Sequence, residues 1–233
     1  MNIAIILAGG TGTRIGGDIP KQYLEAGNRP VIRYCLDTCF GSEEIDTVHI
    51  VAEQRWRGFI EEHLPKGNRQ KWKGFSEPGE TRQLSIWNAL TDVAGYAGAE
   101  DIVFIHDAAR PLLSAGLLHR CLQSVKGHDG VLPVLPMKDT VYYSEDGMRI
   151  SGLLKRSSVY AGQAPEVFVY GKYYEANRAP FPEKIKAING STEPAVMAGM
   201  DIVMIDGEES NFKITTQADL EKFRSICNED ISR

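Results

Sequence analysis

The sequence lacks any apolar run long enough to cross a membrane. Its first apolar stretch, NIAIIL, ends at a glycine-rich segment and has no basic flank. A membrane helix needs about 20 apolar residues, and a secretion signal needs a basic region before a longer apolar one. We therefore expect neither a membrane span nor a secretion signal in this chain.

The sequence also lacks an excess of basic residues. It has 26 Lys and Arg against 31 Asp and Glu, which gives a net charge of −5 and an isoelectric point near 5.6. Nucleic-acid binding domains usually carry a concentrated positive charge. The balance gives no indication of a nucleic-acid partner.

Cysteine and histidine are scarce and are not spaced as metal ligands. The 4 cysteines form no CxxC pair, and Cys35 and Cys39 lie one helical turn apart among apolar neighbours. This pattern favours buried thiols over a disulfide framework or a zinc site. The histidines outside the strand ending at His106 form no spaced cluster: His49, His63, His119 and His128. We expect no transition-metal site and a reducing, cytoplasmic location.

What is present is an alternation of strand and helix patterns over 233 residues, typical of one α/β domain spanning residues 1–233. The apolar runs predict a mostly parallel sheet with helices on both faces. The predicted strands are 3–7, 47–52, 101–107, 130–136 and 201–206. The predicted helices are 30–40, 54–64, 80–93, one capped by Ser114, one near 171–178, and one from about Thr216.

The alternation breaks at Val141. The segment VYYSEDGMRIS predicts a β-hairpin with Asp146 and Gly147 in the turn. In an otherwise parallel α/β domain, such an insertion, here at about 138–160, either covers a site or reaches a partner subunit. We expect a projecting β-hairpin arm.

The glycine-rich segment LAGGTGTRIGGDIPK follows the first strand and is typical of backbone amides surrounding phosphate. It does not fit the dinucleotide pattern G-x-G-x-x-G, because Ile15 follows Arg14 where glycine or alanine is needed. It does not fit the P-loop either, because Asp18 follows the last glycines where lysine is needed. There remains a glycine loop with two cations, Arg14 and Lys21.

These cations suit nucleotidyl transfer. Attack on an α-phosphate builds negative charge on the α-phosphoryl oxygens and on the departing pyrophosphate, so catalysis consists mainly of positioning and electrostatic stabilisation. Arginine supplies a forked donor and lysine a mobile point charge. The alternative is a strand-to-helix turn with two solvated cations, which explains the glycine density less well.

Five motifs in one order resemble a known family: LAGGTGTRIG…PKQYLEAG, HDAARP, KDT, KRSSVYAGQAPE and NFKITT. Together they are similar to the cytidylyltransferases that activate small polyol phosphates, from residue 3 to about 223. Two branches of that family use D-ribitol 5-phosphate or 2-C-methyl-D-erythritol 4-phosphate. The resemblance implies a Rossmann-like nucleotidyltransferase fold, CTP and Mg²⁺, and a homodimer in which each subunit lends its arm to its neighbour's site.

The resemblance also implies roles at the nucleotide. The cations that stabilise the reacting phosphates are expected to be Arg14, Lys21 and Lys213. The cradle for base and phosphates is expected to be Ala8, Gly9, Gly10 and Gly12. The segment that reads cytosine and ribose is expected to include Gly79, Glu80 and Ser85, although the family more often has Asp where Glu80 stands. A simple loop and helix cap is the alternative for that segment.

Asp107 lies at the carboxyl end of a predicted strand, where ligands bind in open α/β sheets, and its carboxylate can hold Mg²⁺. The resemblance implies polyol-phosphate contacts at Arg110, Thr140, Arg156 and Thr192, with the arginine at position 156 crossing from the partner subunit. We expect His106 to be a packed, hydrogen-bonded imidazole with no catalytic role, because the strand before it is apolar. No general base is needed, because the acceptor is a phosphate monoester that is already largely dianionic.

The acceptor is open at this level. The stretches LAGGTGTRIG, AEDIVFIHD and VYAGQAPE favour ribitol 5-phosphate, whereas HDAARP, KDT and KRSS favour the methylerythritol branch. The segment Ser191–Ala195 departs from the family, because Pro194 stiffens the backbone and removes an amide donor. We favour ribitol 5-phosphate, and another polyol phosphate is a further alternative.

Two other classes of function are alternatives. One is a nucleotide-sugar pyrophosphorylase that uses UTP or GTP, against which HDAARP and the KDT hairpin argue. The other is a catalytically silent nucleotide-binding regulator, against which Arg14, Lys21, Asp107 and Lys213 argue.

Overall fold

The computed structural model describes residues 1–10, 12 and 18–231, and within these ranges the chain forms a mixed sheet with helices on both faces. The strands are β1 (Asn2–Leu7), β2 (Glu25–Ala26), β3 (Arg29–Pro30), β4 (Thr47–Val51), β5 (Trp72–Ser76), β6 (Ile102–Asp107), β7 (Gly130–Pro136), β8 (Tyr142–Tyr143), β9 (Gly152–Leu153), β10 (Tyr160–Gly162), β11 (Glu166–Val169) and β12 (Ile202–Asp206). The helices are α1 (Val31–Gly41), α2 (Gln54–Glu62), α3 (Arg82–Val93), α4 (Ala115–Ser124), α5 (Tyr170–Arg178), α6 (Glu193–Met197) and α7 (Gln217–Ile231). None of the helices in these ranges is long and apolar enough to span a bilayer.

The central sheet has the strand order β10-β7-β11-β6-β1-β4-β5, and β12 also pairs with β7. β1 is parallel to both of its neighbours, β4 and β6, and β5 and β12 are parallel to their partners. The predicted mostly parallel sheet is therefore confirmed. The parallel strands β1 and β6 end side by side at Leu7 and Asp107.

Side chains of β1 alternate between two apolar layers, as the pleat of a strand requires. Ile3 and Ile5 pack on one face with residues of α3 and α5. Ala4 and Ile6 pack on the opposite face with residues of α1, α2 and α4. This confirms helices on both faces. The 4 cysteines are buried free thiols, as predicted.

The predicted hairpin is present as β8 and β9, which pair antiparallel. The Asp146 carboxylate accepts hydrogen bonds from the backbone amides of Met148 and Arg149, both at 2.8 Å. Gly147 has a φ of +70°, a conformation that favours glycine at this turn. At the base of the arm, Tyr160 in β10 pairs with Pro136 in β7, so both ends of the arm leave the sheet side by side.

The structure differs from the sequence prediction in several elements. It adds β5, β10, the short helix α6 and β11, which lies antiparallel between β6 and β7. α3 begins at Arg82 rather than at residue 80, because the Thr81 side chain caps it by accepting a hydrogen bond from the Leu84 amide at 3.1 Å. Capping by Ser114, whose hydroxyl accepts from the Leu117 amide at 2.9 Å, is confirmed.

Candidate active site

A cavity of about 360 Å³ lies at the carboxyl ends of β1 and β6. Ligands bind at this edge of open α/β sheets. The cavity brings together the following residues predicted from the sequence: Gly9, Gly10, Gly12, Lys21, Gly79, Glu80, Ser85, Asp107 and Lys213. Leu7, Gln22, Thr81, Arg82 and Ala109 complete its lining. Arg14 lies outside the described residues.

The buried amide of Gln22 fixes the start of the glycine loop. Its Nε2 donates to the carbonyl oxygens of Ala8 at 2.6 Å and Gly10 at 2.8 Å, and the Tyr23 hydroxyl donates to Ala8 at 2.9 Å. Ala8, a predicted nucleotide contact, therefore uses its carbonyl to hold the loop, and it does not line the cavity.

Glycine is required at two positions of this loop for steric reasons. A Cβ at Gly9 would collide with the Pro78 side chain. Gly12 has a φ of +69°, and a Cβ there would lie 3.0 Å from the Lys21 backbone nitrogen. Gly9 and Gly12 thus pack directly against the segments that carry Gly79 and Lys21 respectively.

The segment from Gly79 to Ser85 forms the opposite wall. The Gly79 amide donates to Ser85 Oγ at 3.0 Å, and Ser85 Oγ donates to the Thr81 carbonyl at 3.0 Å. The exposed Glu80 carboxylate pairs with Lys186 Nζ at 2.6 Å. Gly79 and Ser85 are therefore joined by hydrogen bonds at the start of α3, an arrangement compatible with both the nucleotide-binding and the loop-and-cap interpretations.

Asp107 is the buried negative charge at the centre of the site. Lys213 Nζ lies 2.9 Å from Oδ2, Arg82 Nε lies 3.0 Å from Oδ1, and Arg110 Nε lies 3.7 Å from Oδ2. Burial alone would raise the pKa of Asp107, but Arg82, Lys213 and Arg110 outweigh it and hold that pKa well below its usual range. Asp107 is therefore ionised, and it fixes the cations around the cavity.

Arg82 is the residue of this site that sequence reasoning missed. It is the first residue of α3, where the helix dipole disfavours a cation. Burial lowers its pKa, but Asp107 and Glu166 reverse the effect and raise that pKa overall. An arginine at a helix start, two residues after the predicted Glu80, is the signal that could have identified it.

The predicted acceptor contacts lie outside the cavity lining. Arg110 is largely buried, and its Nη1 donates to the Asn211 carbonyl at 2.7 Å. Thr192 donates through Oγ1 to Glu166 at 3.2 Å. Arg156 donates to the Lys138 carbonyl at 3.0 Å at the base of the arm, and Thr140 is exposed there. A single chain therefore does not gather all four residues at the cavity.

The departure at Pro194 has little structural effect. Pro194 is the second residue of α6, and amides in the first turn of a helix have no intrahelical partner. The missing amide hydrogen therefore removes no bond of the helix, and the fixed φ of proline suits a helix start.

His106 is a fully buried imidazole, as predicted. Its Nε2 lies 3.0 Å from the Arg110 carbonyl oxygen, and burial lowers its pKa to about 4. The neutral ring supports the turn that carries Asp107 and Arg110.

Residues 2–229 match the family model for IspD, 2-C-methyl-D-erythritol 4-phosphate cytidylyltransferase. The chain belongs to this family. The enzyme class predicted from the sequence, CTP-dependent nucleotidyl transfer, is that of the family.

Curated relatives within the family carry two names. A ribitol-5-phosphate cytidylyltransferase of Streptococcus agalactiae serotype V is 30% identical, over 97% of this chain and 95% of that protein. A 2-C-methyl-D-erythritol 4-phosphate cytidylyltransferase of Cereibacter sphaeroides is 34% identical, over 93% of this chain and 92% of that protein.

Solved structures support the fold. The 4-diphosphocytidyl-2C-methyl-D-erythritol synthase from Anaerococcus prevotii superposes with a TM-score of 0.83 at 24% identity, over 97% of this chain and 96% of that chain. The 2-C-methyl-D-erythritol 4-phosphate cytidylyltransferase of Francisella tularensis gives a TM-score of 0.79 at 25% identity, over 95% and 97%. The nucleotidyltransferase fold predicted from the motifs is confirmed.

Proposed function

We propose that the protein transfers CMP from CTP to a small polyol phosphate, giving a CDP-polyol and pyrophosphate, with D-ribitol 5-phosphate as the acceptor. The observation that carries the proposal is the cavity at the ends of β1 and β6. It combines a glycine loop with Lys21 and Lys213 beside the ionised Asp107.

The chemistry needs no general base. An oxygen of the acceptor phosphate forms a bond to the α-phosphorus of CTP, and the bond to the β-phosphate oxygen breaks. Lys21, Lys213 and Arg14 are suited to neutralise the charge that develops on the α-phosphoryl oxygens and the pyrophosphate. Asp107 keeps Lys213 in place for this task, because Lys213 Nζ lies 2.9 Å from Oδ2.

A divalent cation, generally used in this family, fits the chemistry of the site. We propose Mg²⁺, held by the carboxylate of Asp107 and by the triphosphate of the nucleotide. One protein carboxylate with phosphate oxygens is a common way to hold Mg²⁺. No group of three or more His, Cys, Asp or Glu side chains that could hold a metal occurs within 1–10, 12 and 18–231. The bound ion would supply further neutralisation of phosphate charge.

A homodimer formed through the arm completes the proposal, and a cytoplasmic location is part of it. The arm exposes a cluster of large apolar side chains: Tyr142, Tyr143, Met148, Ile150, Leu153 and Leu154. Exposed apolar patches of this kind mark interaction surfaces. In such a dimer the arm would bring Arg156 and Thr140 to the neighbour's cavity, which would explain why one chain does not gather them at its own.

The choice of acceptor rests on the relatives and the motifs. The relative named for ribitol 5-phosphate spans the larger share of both chains, and the glycine-loop motif favours that branch. The family description and the higher identity of the Cereibacter sphaeroides relative favour 2-C-methyl-D-erythritol 4-phosphate, which is the second candidate.

The deciding experiment measures pyrophosphate release with CTP and Mg²⁺ and each of the two polyol phosphates in parallel. We expect faster release with D-ribitol 5-phosphate. Faster release with the methylerythritol substrate would assign the second candidate. CTP binding without release from either substrate or from a panel of other polyol phosphates would support a silent nucleotide-binding protein instead.

A further inference from the structure

A buried carboxylate, to which the family resemblance assigns no role, lies between Arg82 in the cavity lining and the proposed acceptor contact Thr192. Glu166 is the first residue of β11, and its side chain is only 11% exposed. Oε1 lies 3.5 Å from Arg82 Nη2, and Oε2 accepts from the hydroxyls of Ser191 and Thr192, the latter at 3.2 Å. One carboxylate therefore joins three groups of the site region.

Arg82 connects this carboxylate with Asp107. Its Nε donates to Asp107 Oδ1 at 3.0 Å, its Nη1 donates to Ser191 Oγ, and its Nη2 faces Glu166. The same guanidinium lines the cavity. Hydrogen bonds from Arg82 and to Glu166 thus hold residues 191–192 next to the start of α3. The Tyr173 hydroxyl also donates to the Ser191 carbonyl at 2.7 Å.

The arrangement sets the direction of the Thr192 hydroxyl. Burial raises the pKa of Glu166, whereas the Arg82 guanidinium 3.5 Å from Oε1 favours its charged form. The ionised carboxylate only accepts hydrogen bonds, so the single hydroxyl proton of Thr192 is committed to it. The remaining lone pairs of Thr192 Oγ1 can then only accept. A hydroxyl fixed in this way can bind a group that donates, such as a polyol hydroxyl, and has no proton to offer to a phosphate oxygen.

We propose that Glu166 is a positioning residue for the acceptor substrate, which it orients through Thr192 so that this threonine accepts a hydrogen bond from a hydroxyl of the polyol chain. The inference rests on the proposed transfer of CMP to a polyol phosphate. It adds Glu166 to that site and gives the direction of the hydrogen bond at Thr192. It also identifies the polyol hydroxyls, rather than the phosphate, as the groups that Thr192 binds.

The test uses steady-state kinetics on the full-length protein with saturating CTP and the acceptor that the wild type uses. E166Q keeps the shape of the side chain and leaves the Arg82–Asp107 pair in place, but it replaces one carboxylate oxygen by an NH2 donor. Because Arg82 only donates, the amide oxygen should face Arg82 and the NH2 group should face Thr192, which then no longer has an acceptor for its proton. T192V removes the hydroxyl at nearly constant volume, and T192S retains it. We expect E166Q and T192V each to raise the KM for the polyol phosphate about tenfold, as for loss of a hydrogen bond to a charged group.

The KM for CTP should stay within about twofold of wild type in each variant, and T192S should resemble wild type. E166Q in the T192V background should have no further effect on the acceptor KM, because both changes remove the same interaction. E175Q is the matched control, since Glu175 is an exposed carboxylate that pairs with Arg178 at 2.6 Å on α5. It should leave all constants unchanged.

Additive effects of E166Q and T192V, or an unchanged acceptor KM in E166Q, would overturn the inference while leaving the proposed function intact. A parallel rise in both KM values with a lower melting temperature would assign Glu166 a purely structural role. If E166Q does not fold, an unchanged acceptor KM in T192V overturns the inference by itself. A wild type without turnover on any polyol phosphate would reject the proposed function, and this inference with it.

Discussion

At the scale of single residues, the site has more cationic side chains than carboxylates to neutralise them. Arg82, Arg110 and Lys213 surround Asp107, and Glu166 is the second carboxylate within reach of Arg82. Cations held this closely together in a partly buried region repel one another. A polyphosphate ligand would relieve that repulsion, which is why this geometry suits nucleotide binding better than the binding of a neutral ligand.

Lys21 provides the direct test of this electrostatic arrangement. K21A should lower kcat by about 10²–10³-fold, the usual loss when one fixed donor to a developing charge is removed. Steady-state pyrophosphate release at saturating CTP and acceptor is the measurement. K66A is the control, because Lys66 is an exposed lysine that does not line the cavity. A kcat of K21A equal to that of K66A would remove Lys21 from the catalytic groups.

At the scale of elements, the helix starts next to the site depend on side-chain caps. Thr81 and Ser114 cap α3 and α4, and α7 begins with a reciprocal pair. Asp219 accepts from the Thr216 amide at 2.8 Å, and the Asp219 amide donates to Thr216 Oγ1 at 3.2 Å. α7 follows directly on the segment that carries Lys213, so this cap fixes one border of the site.

The cap of α7 predicts a stability difference that depends on pH. Slight burial acts to raise the pKa of Asp219, but hydrogen bonds from Thr215 and Thr216 outweigh it and lower that pKa to about 2. A depressed carboxylate pKa stabilises the fold above the ordinary value near 4 and loses that contribution as the pH falls towards 2. D219A should therefore lower the free energy of unfolding by about 1 kcal/mol at pH 7, and by less at pH 3.

Urea unfolding at both pH values measures this difference. E221A is the control, because Glu221 is an exposed carboxylate on the same helix whose Oε1 accepts from Gln217 at 3.1 Å and takes no part in the cap. A gap between D219A and wild type that is the same at pH 7 and pH 3 would contradict the assigned cap.

The strong periodic elements could be predicted from the sequence, and the weak or non-local ones could not. β6 and β7 were predicted because their apolar runs are continuous, and α1 and α4 because their apolar residues repeat at helical spacing. β5 was missed because Gly74 interrupts it with a φ of +132° at an irregular register. β11 is four residues long, and its place between β6 and β7 depends on contacts with strands distant in the chain.

The same limit applies to the site. Asp107 and the glycine loop can be predicted from local pattern, since Asp107 ends an apolar strand and the loop follows another. Arg82 and Glu166 can be recognised as site residues only when the fold brings α3, β6 and β11 together. They lie 84 residues apart, and no local sequence pattern relates positions at that separation. The acceptor contacts are therefore predicted from the resemblance alone, and the hydrogen bonds between Arg82, Glu166 and Thr192 could be found only in the folded structure.

At the scale of the whole molecule, the proposed dimer makes a prediction about shared sites. R14A and R156A should each be inactive alone, because one removes a cation of the subunit's own loop and the other removes the residue lent to the partner. A mixed dimer would contain one intact site and one doubly defective site. It should regain about half of the wild-type activity, as a closed two-fold assembly requires.

Co-expression with two affinity tags isolates the mixed dimers for this assay. R149A serves as the control, since Arg149 lies in the same hairpin beyond its turn, away from the segment that carries Arg156. R14A paired with R149A should behave like R14A paired with wild type. Verified mixed dimers of R14A and R156A without activity would argue against a shared site.

The way the arm leaves the sheet has a consequence for how the family can diversify. Pro136 in β7 pairs with Tyr160 in β10, so these two strands are already joined at the base of the arm. Everything between them can lengthen, shorten or change sequence without altering the strand register of the body, because the closing pair stays in place. The arm is therefore a separable module, and changes within it would alter its exposed apolar surface while the strand register of the body stays constant.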